Sequence, residues 1–385
     1  MNIGILTITN KESGGVYQYT LALLEAIKRS GEQFNYIQIT TEKFPKVLSN
    51  CIVLKTRNSG LLLKAKLVLY SSLGIKIGNL FGSNNLSELK NIDCIVSPTV
   101  TLLLSCMQRP YIVTIHDFQY KYYPQFFTLW ERFLINITYR TGKKSKIVVC
   151  ESNFVKNDLI NFLSIKNDKI RVLPSPPFFY TERSEIQADL LSSVQDKYDL
   201  PSKYLFYPSQ FWFHKNHIKL VQALKLLKEE YGFCIPLVLV GSKNNNFGNT
   251  MNEIKRLEIE DQVKYLGYVP DGDLRCLYKL ATALIVPTLF ESVSLPIWEA
   301  FYFGCPVVSS NVCALPEQVG DAGLLFDPNN AGDIAEKIYM IWSDGKLRQE
   351  LVGKGNERVK DLTLKNYARQ WGEIIEEVLG DRKMK

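Results

Sequence analysis

The sequence predicts an α/β protein made of two doubly wound parallel-sheet domains in tandem. Three observations carry that expectation. Short β-branched or apolar runs alternate with segments of helical period, the pattern of parallel strands covered by helices. The alternation stops at a proline-rich stretch and then begins again. A chain of 385 residues with 46% hydrophobic content also exceeds one typical core and is apolar enough to fill two.

In the first half, "IGIL" reads as a buried strand and the polar loop from Thr9 to Gly15 turns the chain. Val16, Tyr19, Leu23, Leu24 and Ile27 then recur at helical spacing. Further strands are expected at "DCIVSP", "YIVTIHD", "KIVVCES" and "KIRVLP", each ending in polar residues. "PSPPFFYTERSE", 174 to 185, suits neither a helix interior nor a central strand, so the domain linker is placed there. The second half repeats the pattern with "YLFYPS", a helix through Leu220 to Glu229, "PLVLVGS", "VKYLGYV", a helix from Leu274, "ALIVPT", a helix from Leu295, and "PVVSS". A last helix carries Tyr367, Trp371, Ile374, Ile375 and Val378 along one stripe.

The net charge of +7 is mild for this length and argues against a nucleic-acid-wrapping partner. It is unevenly spread. Residues 51 to 82 hold Lys55, Arg57, Lys64, Lys66 and Lys76 without an acid. That segment is open between a surface for an anionic membrane or lipid-linked acceptor and a solvated helix over the core. The cysteines show no CxxC pair or zinc spacing, which points to a reducing compartment. The opening "MNIGILTITNKESGG" lacks the layout of a secretory signal, and no window is long and apolar enough to span a bilayer. A cytoplasmic protein is expected, touching a membrane only peripherally at its inner face.

Ligands of open parallel sheets bind beyond the carboxyl ends of strands, so those positions carry the chemistry. Gly14 and Gly15 let backbone amides approach a ligand at a helix start, but they form no GxGxxG, which argues against an NAD-dependent dehydrogenase. As a plain turn they need no ligand. His116 follows the strand "YIVTI" and is open between a structural histidine and a polar contact with substrate. Lys215, in "SQFWFHKNH", puts a cation near a helix N-terminus, which suits a phosphate or diphosphate unless it is simply a solvated lysine.

In "ESVSLPIWEA", Ser294 is the expected N-cap, Pro296 fits the first turn and Gly304 closes the helix. Glu291 then lies in the loop and Glu299 about a turn inside, where a carboxylate can accept two hydrogen bonds from a vicinal diol. Asp271 and Asp273 form a DxD, a spacing that can hold a divalent metal. They also stand just ahead of Leu274, Leu277, Tyr278 and Leu280, where acids serve as N-cap and first-turn residues, and that reading is preferred.

Together these sites resemble a known family, the retaining glycosyltransferases of family 4, also called glycosyl transferases group 1, with the GT-B fold. The strongest match is "LFESVSLPIWEAFYFGCPVVSS", which carries an E-x7-E motif as Glu291 and Glu299, followed by "LPEQVGDAGLLFDP". "GGVYQYTLALLEA", "HDF", "ESNFVKNDL" and "HKNH" match more weakly, so the resemblance spans nearly the full chain.

The resemblance implies two Rossmann-like domains facing across a cleft. Residues 1–180 would form the acceptor-side domain, residues 181–363 the donor domain, and the helix 364–385 would cross back to the first domain. It implies that Glu291 contacts the hydroxyls of the donor sugar and Glu299 the ribose. Lys215 would neutralise the diphosphate, aided by amides of Ser292, Val293, Ser294 and Leu295. His116 would sit beside the donor sugar and reaction centre, with Gly14 and Gly15 lining the cleft. It further implies a nucleoside diphosphate sugar as donor, a glycan or lipid-linked acceptor, and same-face displacement without metal, cofactor or general base. Two departures stand out: Gln210 replaces a frequent arginine, and Ser294 replaces the usual glycine between the two acids. The rival functions on the same fold are a nucleotide-sugar epimerase and a non-catalytic sugar-nucleotide binding protein.

Overall fold

The computed structural model describes residues 1–9, 14–29, 33–41, 44–54, 66–68, 88–177 and 186–383. Of the five cations between 51 and 82, Lys55, Arg57, Lys64 and Lys76 lie outside the described residues, as do 178–185 of the proline-rich stretch. The chain divides into two compact units, Met1–Phe178 with Leu362–Lys385, and Phe179–Asp361.

The first unit is a seven-stranded sheet of β1 (Asn2–Thr7), β2 (Asn35–Thr40), β3 (Cys51–Val53), β4 (Cys94–Ser97), β5 (Tyr111–Thr114), β6 (Ile147–Cys150) and β7 (Ile170–Val172). Their order is β3-β2-β1-β4-β5-β6-β7, and every pairing is parallel. Strands buried on both faces read as continuous apolar runs, which is why "CIVS", "YIVT" and "IVVC" stand out in the sequence. Strand β2, "NYIQIT", lies outside the strands the sequence predicts, because Gln38 interrupts its apolar run. Gln38 is fully buried and satisfied: its Nε2 donates to Thr7 Oγ1 at 3.1 Å and Pro45 O at 2.8 Å, and its Oε1 accepts from Val47 N at 2.8 Å.

One face of this sheet is covered by the helix Gly15–Arg29 and the C-terminal helix Leu364–Lys383. Leu23, Leu24 and Ile27 of the first meet Tyr367, Trp371, Ile375 and Val378 of the second in one core with Ile3 and Ile5 of β1. The stripe at the end of the chain is therefore spent on the first unit, as expected. Trp371 is fully buried, and truncating such an indole costs about 3–5 kcal/mol. Gly4 of β1 marks a close approach, since a Cβ there would fall 2.5 Å from Ile39 Cδ1.

The second unit is a six-stranded sheet of β8 (Leu205–Pro208), β9 (Leu237–Val240), β10 (Val263–Tyr265), β11 (Ala283–Val286), β12 (Val307–Ser310) and β13 (Gly323–Phe326). The order is β10-β9-β8-β11-β12-β13, again parallel throughout. Strand order therefore reverses between β1 and β4 in one unit and between β8 and β11 in the other. At such a switch point two loops leave the sheet in opposite directions and open a crevice beyond the carboxyl ends of the strands. Among the described residues no helix is long and apolar enough to cross a membrane.

Candidate functional site

Lys215 and Glu291 follow the two strands that flank the switch point of the second unit. Lys215 ends a short 3-10 turn, Phe213–Lys215, and Asn216 then takes a left-handed conformation, φ +58°, before the helix His217–Glu230. Asparagine tolerates that region better than most residues, and here its buried side chain also ties the loops together. Asn216 Nδ2 donates to Pro287 O and to Pro328 O, both at 2.9 Å. Leu289 N donates to His214 O at 2.7 Å, and Tyr207 OH to Lys215 O at 2.9 Å. These bonds hold the β8 loop against the β11 loop, and Lys215 Nζ forms a charge-assisted hydrogen bond with Glu291 Oε2. Their side chains remain 20% and 17% exposed, so the pair is reachable from solvent.

The neighbouring histidines add no charge. Burial, helped by the Lys215 cation, pushes both His214 and His217 down to about 3, and His217 stacks on Phe211 with ring centroids 4.2 Å apart. Gln210 spends its amide oxygen on Trp212 Nε1 at 2.8 Å and Asn244 Nδ2 at 3.3 Å. In "SQFWFHKNH", Lys215 is therefore the only group charged at neutral pH.

The helix Leu295–Phe303 starts and stops where the sequence places it, with proline in its first turn and Gly304 left-handed at φ +68° as its C-cap. Ser294 occupies the N-cap position, but its hydroxyl makes no capping bond. Gln318 clasps the backbone of the N-cap residue itself: its Oε1 accepts from Ser294 N at 2.9 Å, and its Nε2 donates to Ser294 O at 2.7 Å. The Ser294 amide is thus already engaged, which corrects the expectation that all four amides from Ser292 to Leu295 face an anion. Glu299 Oε2 accepts from Tyr278 OH at 2.5 Å. Burial of its carboxyl, partly offset by that bond and reinforced by Asp271, raises Glu299 from the carboxylate range to about 7.

His116, Gly14 and Gly15 belong to the first unit. His116 follows β5 with both ring nitrogens engaged: Nδ1 lies 2.9 Å from Glu151 Oε2, and Nε2 lies 2.8 Å from Pro98 O. A carboxylate and a carbonyl both accept, so this geometry suits a ring that donates from both nitrogens. Burial alone would lower its pKa, but the hydrogen bond and charge of Glu151 outweigh it and the net shift is upward. The ring also meets the Tyr19 ring edge-on at 4.7 Å. Sequence reasoning did not single out Glu151. Its signal was its place directly after β6, in the polar end of "KIVVCES". Gly14 takes φ +55°, and among the described residues, chain neighbours and local helix backbone aside, no atom lies within 4 Å of where its Cβ, or that of Gly15, would stand.

Within the described residues the two aspartates of the DxD are engaged in the fold. Asp271 and Asp273 lie in the first turn of the helix Asp271–Leu280, whose N-cap is Pro270, and Asp273 Oδ2 accepts from Lys197 Nζ and Tyr198 OH, each at 2.6 Å. The N-cap role expected of an acid there thus falls to Pro270, while the first-turn role stands.

Two family models match the chain, Glycosyltransferase Family 4 over residues 13–176 and Glycosyl transferases group 1 over residues 193–358. The O-antigen chain mannosyltransferase B of Escherichia coli is 32% identical over 241 residues, 62% of this chain and 62% of its own length. The serotype-specific mannosyltransferase WbdA of the same organism is 26% identical over 57% of this chain, and the match spans only 28% of its length. A solved glycosyltransferase from Rickettsia africae superposes with a TM-score of 0.75 at 20% identity, covering 98% of both chains.

Proposed function

The chain belongs to the glycosyl transferases group 1 and family 4, and from that premise we propose that it moves a sugar from a nucleoside diphosphate sugar to an acceptor hydroxyl, with retention at the anomeric carbon. Its two Rossmann-like units are those of the GT-B fold. The observation that carries the reading is the pairing of Lys215 with Glu291 across the β8/β11 switch point, with Glu299 on the helix that begins there.

A diphosphate entering this crevice competes with Glu291 for the Lys215 ammonium. The exchange neutralises the phosphates and leaves the Glu291 carboxylate to accept from sugar hydroxyls. The Val293 and Leu295 amides at the helix N-terminus add positive potential beside the diphosphate. Glu299, with one oxygen held by Tyr278, offers the other to the ribose.

In the transfer itself the bond from the anomeric carbon to the diphosphate oxygen breaks. The acceptor oxygen forms a bond to the same face of that carbon, and its proton passes to the departing diphosphate. Lys215 stabilises the charge that develops on the leaving group, where preorganised donors contribute most. The family resemblance supports a contact of His116 with the donor sugar, and its bonds to Glu151 and Pro98 favour a positioning role over that of a general base; neither metal nor cofactor is assigned a step.

The names of the curated relatives, O-antigen chain and serotype-specific mannosyltransferases, support a hexosyl donor and a precursor of bacterial surface polysaccharide as acceptor. Such an acceptor supports a cytoplasmic protein working at the inner face of the membrane. Incubation with a panel of nucleotide sugars, with and without a glycan acceptor, tests the reading. Nucleoside diphosphate released only when acceptor is present supports transfer. An epimerised sugar formed without acceptor would establish the rival chemistry instead.

A further inference from the structure

The helix Leu129–Lys144 of the first unit exposes large apolar side chains at its N-terminal end. Leu129 is 80% exposed, Trp130 65% and Phe133 49%. Large apolar side chains scattered singly on a surface need no explanation, but these three are contiguous: Trp130 stacks on Phe133 with ring centroids 5.5 Å apart and planes 24° from parallel. Leu129, Phe133, Arg140 and Lys144 follow one another by four, seven and four residues, so they line a single face, apolar at the N-terminal end and cationic at the C-terminal end.

Charge decides what this face fits. From Phe118 to Cys150 the sequence has six cations, Lys121, Arg132, Arg140, Lys143, Lys144 and Lys146, and one acid, Glu131. That acid is spent on the capping box with Thr128, accepting from Thr128 N at 2.8 Å. Arg140, Lys143 and Lys144 are exposed, and among the described residues none of the three is in an ion pair. A two-fold contact with a second copy of this chain would bring both sets of cations to one interface, with no acid on this face of the helix to pair them. Exposed Trp, Leu and Phe beside uncompensated Lys and Arg instead match a bilayer interface, where apolar side chains enter the acyl boundary and cations meet anionic headgroups.

We propose that this helix docks the first unit on an anionic membrane surface, with Leu129, Trp130 and Phe133 inserted and Arg140, Lys143 and Lys144 on the headgroups. The inference rests on exposure and charge and is independent of the sugar-transfer reading. It assigns the contact to a helix other than the basic segment between 51 and 82.

The test is co-sedimentation of the full chain with vesicles of phosphatidylcholine alone and of equimolar phosphatidylcholine and phosphatidylglycerol. The native protein is expected to bind the anionic vesicles and not the neutral ones. Replacing Leu129→Ser with Phe133→Ser, or Arg140→Glu with Lys143→Glu and Lys144→Glu, should each weaken binding at least about tenfold while thermal unfolding and nucleotide binding stay unchanged. Brominated acyl chains should quench a component of tryptophan emission that vanishes in Trp130→Phe. Failure of the native protein to bind anionic vesicles would overturn the proposal, as would undiminished binding by both variants. So would a dimer that the Leu129 and Phe133 replacements convert to monomer, which would make the face a protein interface.

Discussion

The two units use the same architecture, a parallel sheet with polar residues beyond its carboxyl edge, yet their buried charges are arranged in opposite ways. In the first unit His116 is closed on both sides by acceptors of its own chain, Glu151 and Pro98. In the second, Lys215 and Glu291 among the described residues pair with each other near solvent, and Glu299 has a second oxygen beyond the one that Tyr278 occupies. A closed constellation fixes geometry. An open one can exchange partners, and a ligand site needs that exchange. The contrast is why we propose the second unit, rather than the His116 pair, as the binding site of the nucleotide diphosphate.

Lys215→Ala should have the largest effect, because on the proposed reading it removes the cation that stabilises the leaving group. A loss of about two to three orders of magnitude in kcat/KM is expected in steady-state assays, with partial recovery in Lys215→Arg. Next comes the closed pair. His116→Ala leaves Glu151 buried without its counter-charge and should cost about 3 kcal/mol of stability by denaturant titration. The raised His116 pKa fixes the sign with pH: its contribution is complete below the ordinary imidazole range and fades as pH rises through the raised value. The gap between native protein and variant should therefore narrow in alkali.

Glu299 behaves as a carboxyl held partly protonated at neutral pH. Its raised pKa adds stability below the ordinary carboxylate range, and that contribution is lost as pH rises through about 7. A ribose diol selects the ionised form, so nucleotide affinity should rise by about tenfold from about pH 6 to pH 8, with a proton released on binding. Glu299→Gln should flatten that profile, as read by calorimetry in buffers of different ionisation heat. The smallest effect is expected at Gly14, whose φ of +55° disfavours a side chain although space is open around it. Gly14→Ala should cost about 1 kcal/mol, visible as a lowered melting temperature.

The sequence made the fold legible wherever strands are buried on both faces, since "IVVC" or "ALIV" can hardly be anything else. It hid β2, where the buried Gln38 needs partners from Thr7, Pro45 and Val47 that no local pattern announces. The sequence pattern did not single out β3 or the "GLLF" of β13 either. At the site, residue types and loop positions were readable, but partnerships were not. Lys215 and Glu291 stand 76 residues apart, His116 and Glu151 35, and Ser294 and Gln318 24. Such pairs exist only once the sheet order is fixed. The Gln318 clasp on Ser294 had no sequence signal beyond lying in the matched C-terminal block.

The contrast between the two units is tested most directly by calorimetric binding of a nucleoside diphosphate to the native protein, Lys215→Ala and His116→Ala, below the unfolding temperature of each. Affinity should fall at least about tenfold in Lys215→Ala and stay within about twofold of native in His116→Ala, since a charged donor at the phosphate is lost only in the first. Unchanged affinity in Lys215→Ala, or a loss confined to His116→Ala, would contradict the assignment of the donor diphosphate to the second unit.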